Sequence, residues 1–235
     1  VVTDIEASAT AIRAEDRQAG WAGLNSVVEE IENKGRQALG LFSDVSDGAQ
    51  VADMVAKTLD QFGKIDILVN NAGSRPGKDR VPVLELEEEA FDEVQRVNVR
   101  GTYLVSRAVA THMVNRGGGG KIINISSGAG KRGIARYAAY CASKAGISMY
   151  LDALRIEHKD KHIDVTQIRP GFIKTEIMEN IDRYPFAISA EKAASEMAKA
   201  ILARRKDVFV PRFPWTLFRP LLGHLPDRIW QRFKS

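Results

Sequence analysis

The sequence predicts an α/β fold, a doubly wound parallel sheet with helices on both faces. Two observations carry this expectation. Strand-length apolar segments at residues 65–69, 122–125 and 163–168 alternate with longer helix-length stretches. The strands are also separated by far more residues than a hairpin turn needs, so neighbouring strands must run parallel through crossover helices.

In chain order, residues 1–5 read as a strand that meets an acid, Asp4. An Ala- and Arg-rich stretch with Trp21 fills residues 6–25, and a helix holding Val27, Val28 and Ile31 stops at Gly35. A short strand over 38–42 runs into Ser43-Asp44-Val45, and Ser46 or Asp47 can cap the next helix, 50–62, which closes at Gly63. The strand at 65–69 has the pattern of one buried on both faces and leads into Asn70-Asn71-Ala72-Gly73, whose small residues allow close approach of backbone to a ligand. Residues 86–113 read as one helix with Asn98 and Gly101 inside it, and Gly117 to Gly120 as a flexible loop. After the strand at 122–125, a helix begins near Arg136 and runs to about His158. The strand at 163–168 ends in Arg169-Pro170-Gly171, an apolar segment covers 176–188, and a last helix spans 190–204.

The chemistry concentrates between Lys121 and Lys144. Tyr140 and Lys144 are four positions apart, so on a helix they share a face one turn from each other. A free tyrosine, with a pKa of about 10, is a poor base at neutral pH, and an adjacent ammonium group is expected to favour the phenolate. Ser127, at the end of the preceding strand, can offer a hydroxyl to the same substrate oxygen. Such a trio suits removal of a proton from an alcohol or its return to a carbonyl oxygen. A lone Tyr-x-x-x-Lys more often marks a solvated helix face; Tyr137 is an internal control, because its fourth neighbour is Cys141.

The string Ser126-Ser127 followed by Tyr140-Cys141-Ala142-Ser143-Lys144 resembles the active-site signature of the short-chain dehydrogenase/reductase family. Asn-Asn-Ala-Gly at 70–73, Asn-Val-x-Gly at 98–101, Asp44-Val45 and Pro170-Gly171 are similar to further family motifs and occur in family order. The resemblance implies a Rossmann-like single domain with Tyr140 as acid/base. It implies that Lys144 lowers the pKa of Tyr140 and holds the nicotinamide ribose, that Ser127 holds the substrate oxygen and that Asn98 holds a relay water. It implies cofactor contacts from Asp4, Asp44, Val45, Asn70, Ala72, Gly73, Tyr140, Lys144, Pro170, Gly171, Ile173 and Thr175. Asp4, at the end of a second strand, would bind the ribose hydroxyls and repel a 2′-phosphate, favouring NAD over NADP; a plain strand-end acid is the other reading. Residues 6–25 are longer than the family's usual connection, either an insertion over the cofactor or a surface excursion. The family's glycine-rich phosphate turn is absent from the start of the sequence, which leads to the expectation that a strand–turn–helix segment of roughly 30 residues precedes Val1.

With 235 residues the chain suits one domain, divided here into a binding and catalytic part, 1–207, and an aromatic, basic C-terminal extension, 208–235. The net charge is +4. Eight Lys/Arg against two Asp/Glu from Arg204 onward place +6 there and leave −2 elsewhere, so the basic balance describes the tail and not a nucleic-acid-binding body. The single cysteine, Cys141, excludes an intrachain disulfide, and no Cys/His cluster has metal spacing. No apolar run reaches the ~18 residues of a membrane span, and a cytoplasmic location is expected. The expected partners are a small, apolar alcohol or ketone and further copies of the chain as a dimer or tetramer. The tail suits packing on the substrate lid, a subunit contact or a membrane surface. The expected activity is alcohol–ketone interconversion. The rivals are an NADP(H)-dependent carbonyl or 3-oxoacyl reductase, a peripheral membrane enzyme acting on a lipid alcohol, and a non-catalytic dinucleotide sensor or scaffold.

Overall fold

The computed structural model describes residues 1–4, 23–174 and 186–217. Thr175 and most of the 176–188 segment lie outside the described residues, as do residues 6–22 and the tail from 218. The chain divides into two compact units, Val1–Ile65 and Asp66–Ser235.

In the first unit, β1 (Val2–Asp4) pairs in parallel with β2 (Gly40–Phe42), placing Asp4 opposite Phe42. Helix α1 (Leu24–Asn33) closes over the pair. Gly40 makes this possible, since a Cβ there would sit 3.1 Å from Val28 and 3.2 Å from Leu24. Asp47 rather than Ser46 caps α2 (Gly48–Phe62), accepting from the backbone N–H groups of Ala49 and Gln50. Gly63 ends that helix in the left-handed conformation, at φ 74°, as its position predicts.

The second unit holds a four-stranded parallel sheet in the order β3 (Ile67–Asn70), β4 (Gly120–Ile125), β5 (Ile163–Pro170), β8 (Asp207–Val210). Helices α4 (Thr102–Arg116), α5 (Ala138–Glu157) and α6 (Ala190–Leu202) flank it. Alternate residues of β5 show that both faces are covered. Ile168 enters an apolar cluster with Ala193 and Ala200 of α6, while Gln167 donates to the Ser148 carbonyl of α5. A short parallel pair, β6 (Ile173–Lys174) with β7 (Ile188–Ser189), packs Ile173 and Ile188 against the same cluster.

Five expectations change. The strand at 65–69 begins only at Ile67, and Asp66 before it pairs with Arg116 at 2.6 Å. As an edge strand of this sheet, β3 leaves Ile67 and Val69 about half exposed, at 55% and 52%, so it is not covered on both faces. The helix at 86–113 is two helices, α3 (Glu88–Gln95) and α4, joined by a π-helical turn over Arg96–Gly101. Helix α5 starts at Ala138 because Arg136 takes a left-handed φ of 66°, which no helix continues through. Finally, residues 208–210 complete β8 inside the sheet, with Val208, Phe209 and Val210 buried, so the boundary at 207/208 cuts a core strand.

Candidate active site

The C-terminal ends of β3, β4 and β5 lie side by side, where ligands bind in open parallel sheets. At the end of β4, Ser127 caps the short 3-10 turn Gly128–Gly130, accepting from the Ala129 N–H at 3.1 Å. The turn needs glycine at 130: a Cβ there would stand 2.8 Å from the Lys144 carbonyl. This close approach brings Ser127 to the first turns of α5, where its hydroxyl is near enough to lower the Tyr140 pKa.

Lys144 lies one turn further along α5, largely buried, with Nζ 5.6 Å from the Tyr140 ring centre. Its ammonium donates to the Ile125 carbonyl at 3.1 Å, its one acceptor among the described residues. Burial with so little compensation lowers its pKa from 10.5 to about 8. Burial also raises the Tyr140 phenol; the Ser127 hydroxyl and the Arg80 charge pull it back, whereas Cys141 and Asp79 push it up. The Lys144 ammonium is turned toward Ile125, and Arg80 is a second cation that acts on the phenol.

The π-helical turn explains Asn98. Its extra residue per turn points the buried amide at two elements at once. Oδ1 accepts from the Ser74 N–H at 2.8 Å, just past Gly73, and Nδ2 donates to Ser143 Oγ at 3.0 Å, next to Lys144. Asn98 thus ties the end of β3 to α5. Asn70 donates to Ser106 of α4 at 2.9 Å, and Ala72 and Gly73 are exposed.

The remaining residues singled out in the sequence are less available. In the first unit, Asp44 accepts from the backbone and hydroxyl of Ser46, at 2.8 and 2.6 Å, and Val45 is buried. Asp4 ends β1, its carbonyl accepting from the Ser43 N–H. In the second, Gly171 is roofed by Trp215, whose Nε1 would lie 2.7 Å from an added Cβ and which stacks edge-on to Phe172 at 5.7 Å. Pro170 is half-buried at the end of β5. Cys141 is buried and its thiol is pushed up by burial, which keeps it protonated and unreactive at neutral pH.

Two arginines escaped the sequence reading. Arg169, 1% exposed, directs its guanidinium to Asp207 (2.8 Å), Ser126, the Ser127 carbonyl, Ser148 and Gln167. An arginine inside an otherwise buried strand was the available signal. Arg80 sits in the loop after β3, where no local pattern marks it. A cleft of about 830 Å³ opens beside these residues, lined by Pro82, Val83, Ile134, Ala138 and Cys141 among others; Ser127, Tyr140 and Lys144 are not in its wall.

A parallel sheet with a Ser–Tyr–Lys cluster at its strand ends defines an α/β protein of the dinucleotide-binding type. The short chain dehydrogenase family profile matches residues 11–184, and the chain belongs to that family, whose members use a nicotinamide cofactor, NAD or NADP. It is 33% identical over 196 residues to a 2-dehydro-3-deoxy-D-gluconate 5-dehydrogenase of Dickeya dadantii, covering 83% of this chain and 70% of that one. It is 38% identical over 148 residues to a sorbitol dehydrogenase of Cereibacter sphaeroides, covering 63% and 57%. The crystal structure of a 3-ketoacyl-ACP reductase from Sinorhizobium meliloti superposes with a TM-score of 0.68 at 28% identity, covering 79% of this chain and 82% of that one. The chain spans about three fifths of the length of the first curated relatives it matches.

The residues fit a nicotinamide cofactor. Lys144 has three protons and one protein acceptor, which leaves donors for ribose hydroxyls, and the exposed Ala72-Gly73 backbone lies beside it in the fold through Asn98 and Ser143. One consequence follows for stability. A lysine whose folded pKa is lowered costs stability below that pKa, and the cost is relieved as pH rises from about 8 toward 10.5. Lys144→Met is therefore expected to leave the melting temperature of the cofactor-free protein unchanged or raise it at pH 7. The advantage should be no more than about 3 kcal/mol and should vanish by pH 10.5, while turnover is lost. A melting temperature lowered by the substitution at pH 7 would show that the ammonium stabilises the fold.

Proposed function

We propose that this protein interconverts a small secondary alcohol and a ketone. The observation that carries this is the buried Tyr140 phenol, with the Ser127 hydroxyl near it and Lys144 one turn along the same helix. Tyr140 takes the alcohol proton as the carbonyl forms, and returns it in the reverse direction. Ser127 holds the substrate oxygen against the phenol. Lys144 binds the ribose side of the cofactor, and Asn98 fixes Ser74 and Ser143 on either side of that lysine and would place the relay water. The nicotinamide, when bound, supplies or accepts the hydride. Asn70, Ala72, Gly73, Pro170, Gly171, Ile173 and Thr175 are assigned to the cofactor side of the site, with Asp44 and Val45 toward the adenine.

The cleft joins apolar residues with Lys131, Arg132 and Arg136, which supports a partly apolar substrate, and the sugar and polyol names of relatives add hydroxylated ones to the set worth testing. Exposed Met149 and Ile156 on α5 support assembly as a homo-oligomer. In the tail, Phe213 meets Phe186 edge-on at 6.1 Å and Trp215 meets Phe172, which supports packing of the tail on the lid segment. No helix among the described residues is long and apolar enough to cross a membrane; a cytoplasmic location remains part of this proposal. A screen of secondary alcohols for reduction of NAD and NADP tests the activity, and absence of turnover with every pair would sink it.

Asp4 at the end of β1 supports NAD as the preferred cofactor. The kcat/KM ratio is expected to favour NAD at least about tenfold, about 1.4 kcal/mol; a tenfold preference for NADP would show that Asp4 does not meet the ribose. The likeness to a 3-ketoacyl-ACP reductase favours one second reading, an NADP(H)-dependent reductase running the same site in the opposite direction.

A further inference from the structure

The loop between β3 and α3 carries a buried charge pair that the reaction scheme does not use. Asp79 is 4% exposed, accepts from the Gly77 N–H at 3.1 Å and pairs with Arg80 at 3.5 Å. The Arg80 N–H closes a turn onto the Gly77 carbonyl, and its own carbonyl accepts from Arg136 at 3.4 Å, so the loop is tied to the start of α5. From that anchor the guanidinium lies over two rings, 4.2 Å from the centre of Tyr137 and 4.6 Å from the centre of Tyr140. Its buried Nε and Nη1 atoms make no hydrogen bond, although Nε faces the Asp79 carboxylate in the ion pair. Buried donors of this kind nearly always find a partner. Here the electron-rich faces of the two tyrosines serve instead, an arrangement that strengthens when water is excluded.

We propose that Arg80 is a positioning residue for Tyr140: held over the faces of Tyr137 and Tyr140, it fixes the ring and brings a positive charge to 4.6 Å from the centre of Tyr140. The proposal rests on the reading of Tyr140 as the acid/base. The groups facing that phenol are Arg80 and Asp79 from the loop, Ser127 from the end of β4, and Tyr137, Cys141 and Lys144 from its own helix. Lys144 is farther from the ring, at 5.6 Å, and bound to Ile125, whereas Asp79 partly offsets the guanidinium. Removing the Arg80 guanidinium should therefore raise the phenol pKa. Tyr137, which has no lysine partner, gains a role as the other ring under that guanidinium.

The test is the pH profile of kcat/KM for alcohol oxidation in wild type, Arg80→Met and Arg80→Lys. A base acts only when deprotonated, so the rate rises with pH to a plateau. Arg80→Met should move the rising limb at least about one unit upward, a loss of roughly tenfold at fixed pH below it, with the plateau reached again at high pH. Arg80→Lys should recover part of the shift. A uniform loss at every pH, or a limb that stays in place, would overturn the proposal and leave Arg80 a purely structural residue. A second readout does not depend on turnover: ultraviolet titration of phenolate, taken as the difference between each protein and its Tyr140→Phe counterpart. If wild type proves inactive, the alcohol–ketone reading fails, yet the Tyr140 titration should still move upward in Arg80→Met. An unmoved titration sinks the proposal on its own, and Arg80→Lys serves where Arg80→Met does not fold.

Discussion

Tyr140→Phe is expected to lower kcat by about 10²–10⁴-fold, the usual contribution of a general acid or base. The substitution keeps the ring, and with it the stack under Arg80 and the packing at the start of α5. What it removes is one hydroxyl beside Ser127, while Ser127 continues to accept from Ala129. The stability change should therefore stay near 1 kcal/mol, and cofactor affinity should be nearly intact. This separation of turnover from folding and binding makes the experiment decisive. A variant with undiminished kcat would remove Tyr140 from the reaction; one that loses cofactor affinity as well would show that the phenol belongs chiefly to the binding site.

Arg169→Met is expected to be the most damaging single change to the fold. The guanidinium is almost wholly buried and meets acceptors just past β4 and on α5, β5 and β8, including the carbonyl of Ser127. Removing one partner of a buried pair typically costs 3–5 kcal/mol. Asp207 keeps some relief from Lys131 at 3.9 Å and is itself partly exposed, so the lower end, about 3 kcal/mol, is expected. For a chain of this size that is a drop of roughly 6–12 °C in melting temperature. The double variant Arg169→Met with Asp207→Leu should recover a good part of the loss, because no charge is then stranded. A loss under about 1 kcal/mol would mean that the network behaves like an exposed ion pair. Because Ser127 shares the network through its carbonyl, kcat should fall as well, without any change in the group that titrates.

Much of the site was legible in the sequence because its parts obey local rules. Tyr140 and Lys144 face the same way because four residues make about one turn. Asp47 caps α2 and Gly63 ends it because the helix termini leave backbone groups that only certain residues satisfy there. The parallel sheet followed from strand-length apolar segments too far apart for hairpins. The strand ends that carry Asn70, Ser127 and Pro170 followed in turn from the sheet.

Other features answer to distant residues and had no local signature. The π-helical turn at Arg96–Gly101 interrupts a stretch with ordinary helix-forming character, and it exists where Asn98 must reach both Ser74 and Ser143. The direction of the Lys144 ammonium was set by the Ile125 carbonyl, nineteen residues earlier, and not by the tyrosine one turn away. Arg80 and Tyr140 are sixty positions apart, and only the folded loop brings a guanidinium onto that ring. Residue types and their spacing thus determined which side chains could do the chemistry. The charges that act on them, and so the protonation states in which they wait, were decided by tertiary contacts, because burial and through-space electrostatics depend on neighbours that sequence distance does not reveal.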